Sequence, residues 1–283
     1  MLVYCYDGTF EGLLTAIFEA YDRHEHPERI CEMQGMQMGL MDEQTIIETD
    51  TEKAGRVQAG IINKMGQSGY ETVYTAYLTP HPERSTVIYQ YVRMGLKLGA
   101  ALEERFDDPL VMKMVHYNRQ VGGECQLLKG FVRFRAVDDV YYALIGPTND
   151  VLEMLAPHFA SRFHTQQWVM QDEKRNKAVF SSNGQWAVVL DPDIVPPPIG
   201  EEEGHYRALW RAFHQTLSNE TRYNPKHQMH MMPKKFWKYM VEMNGVSKGV
   251  DAHTGKHVGK LVDAMRKQGV VLQDGYQAPK LKE

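Results

Sequence analysis

The sequence predicts an α+β protein with a helix-rich amino-terminal part, a small and largely antiparallel sheet in the middle, and a helical carboxy-terminal part. Three observations predict it. Apolar residues recur at helical spacing in successive stripes from Phe10 to about Leu128. After Gly130 the period falls to two, which suits strands. Beyond Pro196-Pro197-Pro198, a stiff extended connector, helical spacing returns. With 43% hydrophobic and 24% charged residues, the 283-residue chain has the composition of an ordinary folded protein.

The first residues read as a strand that runs into a helix. Phe10, Leu13, Leu14, Ile17, Phe18 and Tyr21 make its apolar face, and Asp7 or Thr9 is placed to accept hydrogen bonds from its first free amides. Residues 22–50 are too mixed to assign. Thr49-Asp50-Thr51-Glu52 reads as a capping box ahead of Ala54, Val57, Ile61, Ile62 and Met65, and Ser68-Gly69-Tyr70-Glu71 as a second one. A third helix is expected over about 83–102. A fourth starts at Asp108-Pro109, since proline suits the first helical position, and runs to about Leu128.

The period-two stretches predict strands over Phe131–Val137, Val140–Ile145, Trp168–Met170, Lys177–Ser181 and Gln185–Leu190. Asn183-Gly184 marks a hairpin, because both residues tolerate positive φ. Residues Val151 to Phe163 read as a helix that Pro157 should kink or split. A helix over Glu201–Leu217 gathers Tyr206, Leu209, Trp210, Phe213 and Leu217 on one face, and another begins at Pro233. One short helix is expected near Val258–Arg266.

No stretch approaches the roughly 18 apolar residues that span a bilayer, so no membrane partner is expected. The strand-to-helix start does not resemble a cleavable leader. Cys5, Cys31 and Cys125 are odd in number and widely spaced, which suits reduced thiols of a cytoplasmic protein. The histidine pairs His227/His230, His253/His257 and His158/His164 have neither a cysteine pair nor a zinc-hydrolase glutamate beside them, so no metal is expected. No cofactor fingerprint is present either: the dinucleotide glycine motif, the phosphate-binding P-loop and the nucleophile elbow are all missing.

Charge is unevenly distributed. Residues 1–60 hold 12 acids and 4 bases, whereas residues 222–283 hold 12 bases and 5 acids. The stretch RYNPKHQMHMMPKKFWKY (222–239) alternates aromatic rings with cations, a mix on which bases stack while phosphates are neutralised. Arg222, Lys226, Lys234 and Lys235 are the expected phosphate contacts, with Tyr223 or Trp237 stacking. Lys234 and Lys235 also fall in a first helical turn, where an anion would gain from free amides. Secondary candidates are Arg133 and Arg135 on one strand face, and Asp172 with Arg175 at a strand end, which otherwise read as a solvated strand side and a charged hairpin turn.

The stretches YDGTFEGLLTAIFEAY, KGFVRF, VLEMLAPHF, WVMQDEKR and ETRYNPKHQMHMMPKKFWKY resemble an uncharacterised DNA-metabolism family of bacterial proteins, a domain of unknown function. The resemblance covers residues 2–243. It implies a family domain over 1–243, read here as a strand plus helices (1–130), a sheet layer (131–193) and a helical part (194–243), with 244–283 as a basic tail. It also implies a DNA repair or modification setting and a radical-SAM partner protein. Some relatives carry an appended uracil-DNA glycosylase domain. No catalytic residues come with the resemblance.

Three functions follow as expectations. The first is a DNA-metabolism accessory protein that binds nucleic acid and a radical-SAM partner. The second is a nucleotide- or DNA-processing enzyme using Asp7 and Glu11 with Thr9, since paired carboxylates hold Mg²⁺ or divide acid and base duties. The third is a protein-interaction module without nucleic acid.

Overall fold

Val3, Tyr4, Cys5 and Tyr6 are buried in succession because their strand, β1 (Leu2–Tyr6), is the middle one of a sheet. In the computed structural model, which describes residues 1–33, 43–192 and 194–243, β1 pairs in parallel with β2 (Arg29–Glu32) on one side and β3 (Glu43–Ile46) on the other. Parallel neighbours need a crossover, and α1 (Phe10–Asp22) supplies the one from β1 to β2. Both outer strands lie within residues 22–50, the stretch too mixed to assign from sequence. Its outer strands are four residues each and only partly buried, too short for a periodic signal.

Helices α2 (Thr51–Tyr77) and α3 (Arg84–Leu98) follow, with α1 packed on α2 and α2 on α3. Phe10 is ringed by Tyr70, Tyr74 and Tyr77, with centroids 5.0–6.1 Å away. Asp50, not Thr49, caps α2, accepting from Glu52 N and Lys53 N, because the Thr49 hydroxyl is spent on Asp7. The second expected cap also fails. Ser68 donates to Glu103, and the break in α2 lies at Gly66, whose φ of 81° only glycine adopts without strain. The third helix stops at Leu98 and tightens into a 3₁₀ turn over Gly99–Glu104. Asp108 caps α4 (Pro109–Phe131) through Leu110 N.

The described residues form two compact units, Met1–Gly123 and Glu124 onward. In the second, β4 (Arg135–Val137), β5 (Val140–Ile145), β6 (Trp168–Asp172), β7 (Lys177–Ser182) and β8 (Gln185–Leu190) stand in chain order. All neighbours are antiparallel except β5 and β6, which α5 (Leu152–Arg162) connects as a crossover. Asn183 and Gly184, at φ 54° and 76°, turn the β7–β8 hairpin as their sequence predicts. One sheet face buries Tyr142, Val169, Ala178 and Phe180 with Ile194. On α5, Phe159 joins Phe134, Phe163 and Trp168 in an aromatic cluster.

Four expectations change here. Phe131 ends α4 instead of opening a strand, so only Arg135–Val137 pairs, and Arg133 precedes the strand rather than sharing its face with Arg135. Helix α5 runs through Pro157 as one helix, with Leu152, Leu155, Ala156 and Phe159 buried along it. Helix α6 has the expected bounds, Glu201–Leu217, but none of its residues is buried. A short α7 (Pro225–Met231) was not foreseen, and the helix from Pro233 is a six-residue 3₁₀ turn, Lys234–Tyr239. The expected helix near Val258–Arg266 lies outside the described residues. Among the described residues, no helix is long and apolar enough to cross a membrane.

Candidate nucleic-acid interface

Helix α6 opens with Glu201, Glu202 and Glu203, acids that suit the positive end of a helix. Its apolar stripe should be core by spacing alone, yet Tyr206 is 63% exposed, Leu209 54%, Trp210 41%, Phe213 55% and Leu217 67%. Trp210 and Phe213 stack on each other, with centroids 5.8 Å apart and planes at 30°. The helix is held through Trp210 of the stripe and its neighbour Arg211. The Trp210 indole donates to Glu242 Oε2 at 3.0 Å, and Arg211 Nε donates to the Val241 carbonyl at 3.1 Å. Glu242 also takes Arg133 at 2.5 Å, and the Arg133 guanidinium lies 5.9 Å from the Trp210 ring. Burial pushes the Glu242 carboxyl up, but the Arg133 and Trp210 donors outweigh it and hold its pKa below the ordinary value.

After a 3₁₀ turn over Glu220–Arg222, Tyr223 stands 74% exposed. Asn224 caps α7, its side-chain oxygen accepting from His227 N at 3.0 Å. Arg222 and Lys226 are exposed beside this cap. Lys234 is exposed as well and lies 5.8 Å from the Trp237 ring. Among the described residues, none of these three cations has an acid partner.

Its neighbour Lys235 is different. It reaches Glu124 at 2.5 Å and the Thr148 hydroxyl at 2.9 Å. Glu124 is buried and also accepts from the backbone amides of Thr148 and Asn149 and from the Asn149 side chain. Burial raises the pKa of Glu124, and these donors with Lys235 more than reverse the shift. Lys238 and the Tyr239 hydroxyl likewise meet Glu173. The Trp237 ring is half-buried, with its N–H on the Met232 carbonyl, and Phe236 is sealed against Phe131.

So Lys235, though half-exposed, is tied to Glu124 and Trp237 is half-buried, while Arg222, Tyr223, Lys226 and Lys234 stand outside. A six-residue 3₁₀ turn adds no helix-end field worth counting, so any anion there meets charge and rings only. The rings of α6 were missed as surface groups because their periodicity matched a core helix. The available signal was Arg207 and Arg211 interleaved with Tyr206, Trp210 and Phe213.

The secondary candidates serve the fold. Arg135 is half-buried, donates to the Pro197 carbonyl at 2.5 Å and lies 5.2 Å from the Tyr142 ring. Asp172 is fully buried and ties the β6–β7 turn, accepting from Lys174 N and from Arg175 at 2.8 Å. Burial raises its pKa despite Arg175.

In the first unit, Asp7 is answered by its own turn and by the residue before the α2 cap. One oxygen accepts from Thr9 N and the Thr9 hydroxyl, at 2.9 and 2.7 Å, and the other from the Thr49 hydroxyl at 2.8 Å. These donors outweigh burial and lower its pKa. Thr9 caps α1 through Gly12 N, and a β-carbon on Gly12 would meet Asp7 Oδ1 at 2.3 Å. Gly8 takes φ 88° and its carbonyl accepts from the Tyr77 hydroxyl. Glu11 lies in the first turn of α1. Among the described residues, no group of His, Cys, Asp and Glu is arranged to hold a metal ion.

The model of the domain of unknown function DUF4130 matches residues 82–242, more than half of the chain, so the protein belongs to that uncharacterised family. No curated protein matches the chain.

Proposed function

We propose that this protein is a nucleic-acid-binding accessory factor of DNA repair or modification, and that a single strand lies along α6 and the segment after it. One observation carries the reading. Tyr206, Trp210, Phe213 and Tyr223 stand in solvent, in the same stretch as Arg222, Lys226 and Lys234, whose charges no acid answers among the described residues. Exposed rings cost free energy in water, and a stacked base recovers about 1–3 kcal/mol per ring. The unpaired cations meet the phosphates between stacked bases. Lys235 is left out of the contact set, because Glu124 holds it.

The likeness to the DNA-metabolism family supports the setting and a radical-SAM partner protein, which this chain would assist in the cytoplasm. At Asp7 the geometry supports a structural turn, since both carboxylate oxygens are engaged, and no enzymatic reading is built on it.

Fluorescence anisotropy of the full chain on labelled single- and double-stranded DNA, titrated with salt, tests the proposal. Three phosphate contacts on a single strand give a slope of log K against log salt of about −2. Binding that ignores salt, or is undiminished when Arg222, Lys226 and Lys234 are all changed to Gln, removes it. A partner protein that co-purifies after nuclease treatment, without any DNA affinity, would hand the same face to protein recognition.

A further inference from the structure

Met154, Pro157 and His158, then Ser161 and Arg162, recur one turn apart along α5 and share its outer face, opposite the buried Leu152, Leu155, Ala156 and Phe159. With Lys129, from the last turn of α4, they line a cleft of about 520 Å³ in the second unit. This volume falls in the range of small-molecule sites, roughly 300–1,000 Å³.

Like Arg222, Lys226 and Lys234 of the same unit, the two cations of the cleft lack a carboxylate, and here both line one concave site. Elsewhere in the unit, Arg133, Arg175, Lys177, Arg207, Lys235 and Lys238 each have a carboxylate. Lys129 and Arg162 have no ion pair and no side-chain hydrogen bond among the described residues. The nearby acid of α5, Glu153, lies 4.0 Å from Lys177. Both cations sit in last helical turns, where carbonyl ends offset only part of one charge each. Both charges reach His158. Burial, then Lys129 and Arg162, hold its imidazole below the ordinary pKa.

We propose that this cleft is a binding site for the phosphate of a nucleotide, with Arg162 and Lys129 on the phosphate oxygens and the Met154–Pro157 wall against the sugar and base. The planar fork of Arg162 suits two phosphate oxygens at once, while Lys129 acts as a point charge. The Ser161 hydroxyl and a His158 ring N–H supply further donors. A free mononucleotide and the 5′-phosphorylated end of a strand present the same chemistry. The site involves no residue of α6 and stands or falls apart from the interface proposed there.

Calorimetry on the full chain tests it, with dAMP, deoxyadenosine and inorganic phosphate as probes. Saturable dAMP binding that phosphate competes away is expected, with deoxyadenosine weaker by about tenfold or more, since charge-assisted contacts are lost. The double variant K129Q/R162Q should lose about tenfold or more in dAMP affinity, by the same contacts, without a change in Tm. The pair Tyr223→Ala and Lys226→Gln should leave dAMP affinity unchanged while weakening DNA binding. Displacement of dAMP by a 5′-phosphorylated oligonucleotide, and not by its 5′-hydroxyl twin, assigns the site to strand ends. Displacement by free nucleotides alone assigns it to the mononucleotide. Absent dAMP binding, equal affinity for deoxyadenosine, or a double variant that binds as well as the parent overturns the assignment. Should the double variant unfold, R162K keeps the charge and loses the fork, and undiminished affinity in that variant overturns it equally.

Discussion

The turn after β1 and the segment from α6 to Lys234 treat their polar and aromatic groups in opposite ways. At the turn, Asp7, Thr9 and Thr49 answer one another, Gly12 leaves room for the carboxylate, and Tyr77 closes on the Gly8 carbonyl. In the later segment, four aromatic rings stand exposed, with only the Trp210 N–H tied to an acid, and three cations have no acid partner among the described residues. A motif of chemically potent residues is therefore a weak guide to function when its groups are mutually satisfied. Unmet groups are the better guide, because binding something else lowers their free energy.

The widest gap between the two kinds of site should appear at Glu124, the α4 carboxylate that satisfies Lys235 of the basic stretch. Changing it to Ala strands the buried amide of Asn149 and the partly buried one of Thr148 and frees Lys235, at a cost of about 3 kcal/mol, toward the low end for buried pairs because the lysine is half-exposed. Urea unfolding measures this, and a loss below about 1 kcal/mol would mean that the pair is no more than a surface contact. Next, the double change Trp210→Ala and Tyr223→Ala should weaken single-strand binding by about 1–3 kcal/mol per ring, with stability moved by under about 1 kcal/mol. Unchanged anisotropy titrations would break the comparison at its functional end.

A smaller effect is expected at the turn. Asp7→Asn keeps the acceptor for Thr9 but loses the one for Thr49, costing about 1 kcal/mol of stability and nothing in DNA affinity. A loss of DNA binding with intact stability would move the site to the turn.

Acid sharpens the contrast further. Asp7, Glu19, Glu124, Glu173 and Glu242 all have lowered pKa values, so each contributes stability that is present above the ordinary carboxyl range, about 4, and lost as pH falls from there through the folded values. Asp172, raised by burial, works in the opposite sense and gains on protonation. The net expectation is a urea midpoint that declines steadily below about pH 4. A midpoint flat between pH 5 and 3 would contradict the pairing described for the satisfied carboxylates.

Much of the fold was legible because its signals are local. The Asn183-Gly184 hairpin, the Asp108-Pro109 helix start and the limits of α6 each depend on a few adjacent residues. What was illegible depended on neighbours distant in sequence. Short β2 and β3 become strands only because β1 lies between them, and Phe131 stays helical with its ring against Phe236. The candidate site divides the same way. Its cations and rings were all named or visible in the sequence, but Lys235 was spent on Glu124, 111 residues away.

By itself, then, the sequence determined the α+β class, most helix and hairpin positions, and the concentration of rings and positive charge toward residues 206–239, because backbone preference and composition act over a few residues. Tertiary structure alone decided which of those groups are free. The stripe of α6, which periodicity would bury, faces water, and Lys235, which composition would expose, closes on a buried carboxylate. Whether a side chain is satisfied depends on what the rest of the chain brings within about 3 Å of it, and no local pattern carries that information.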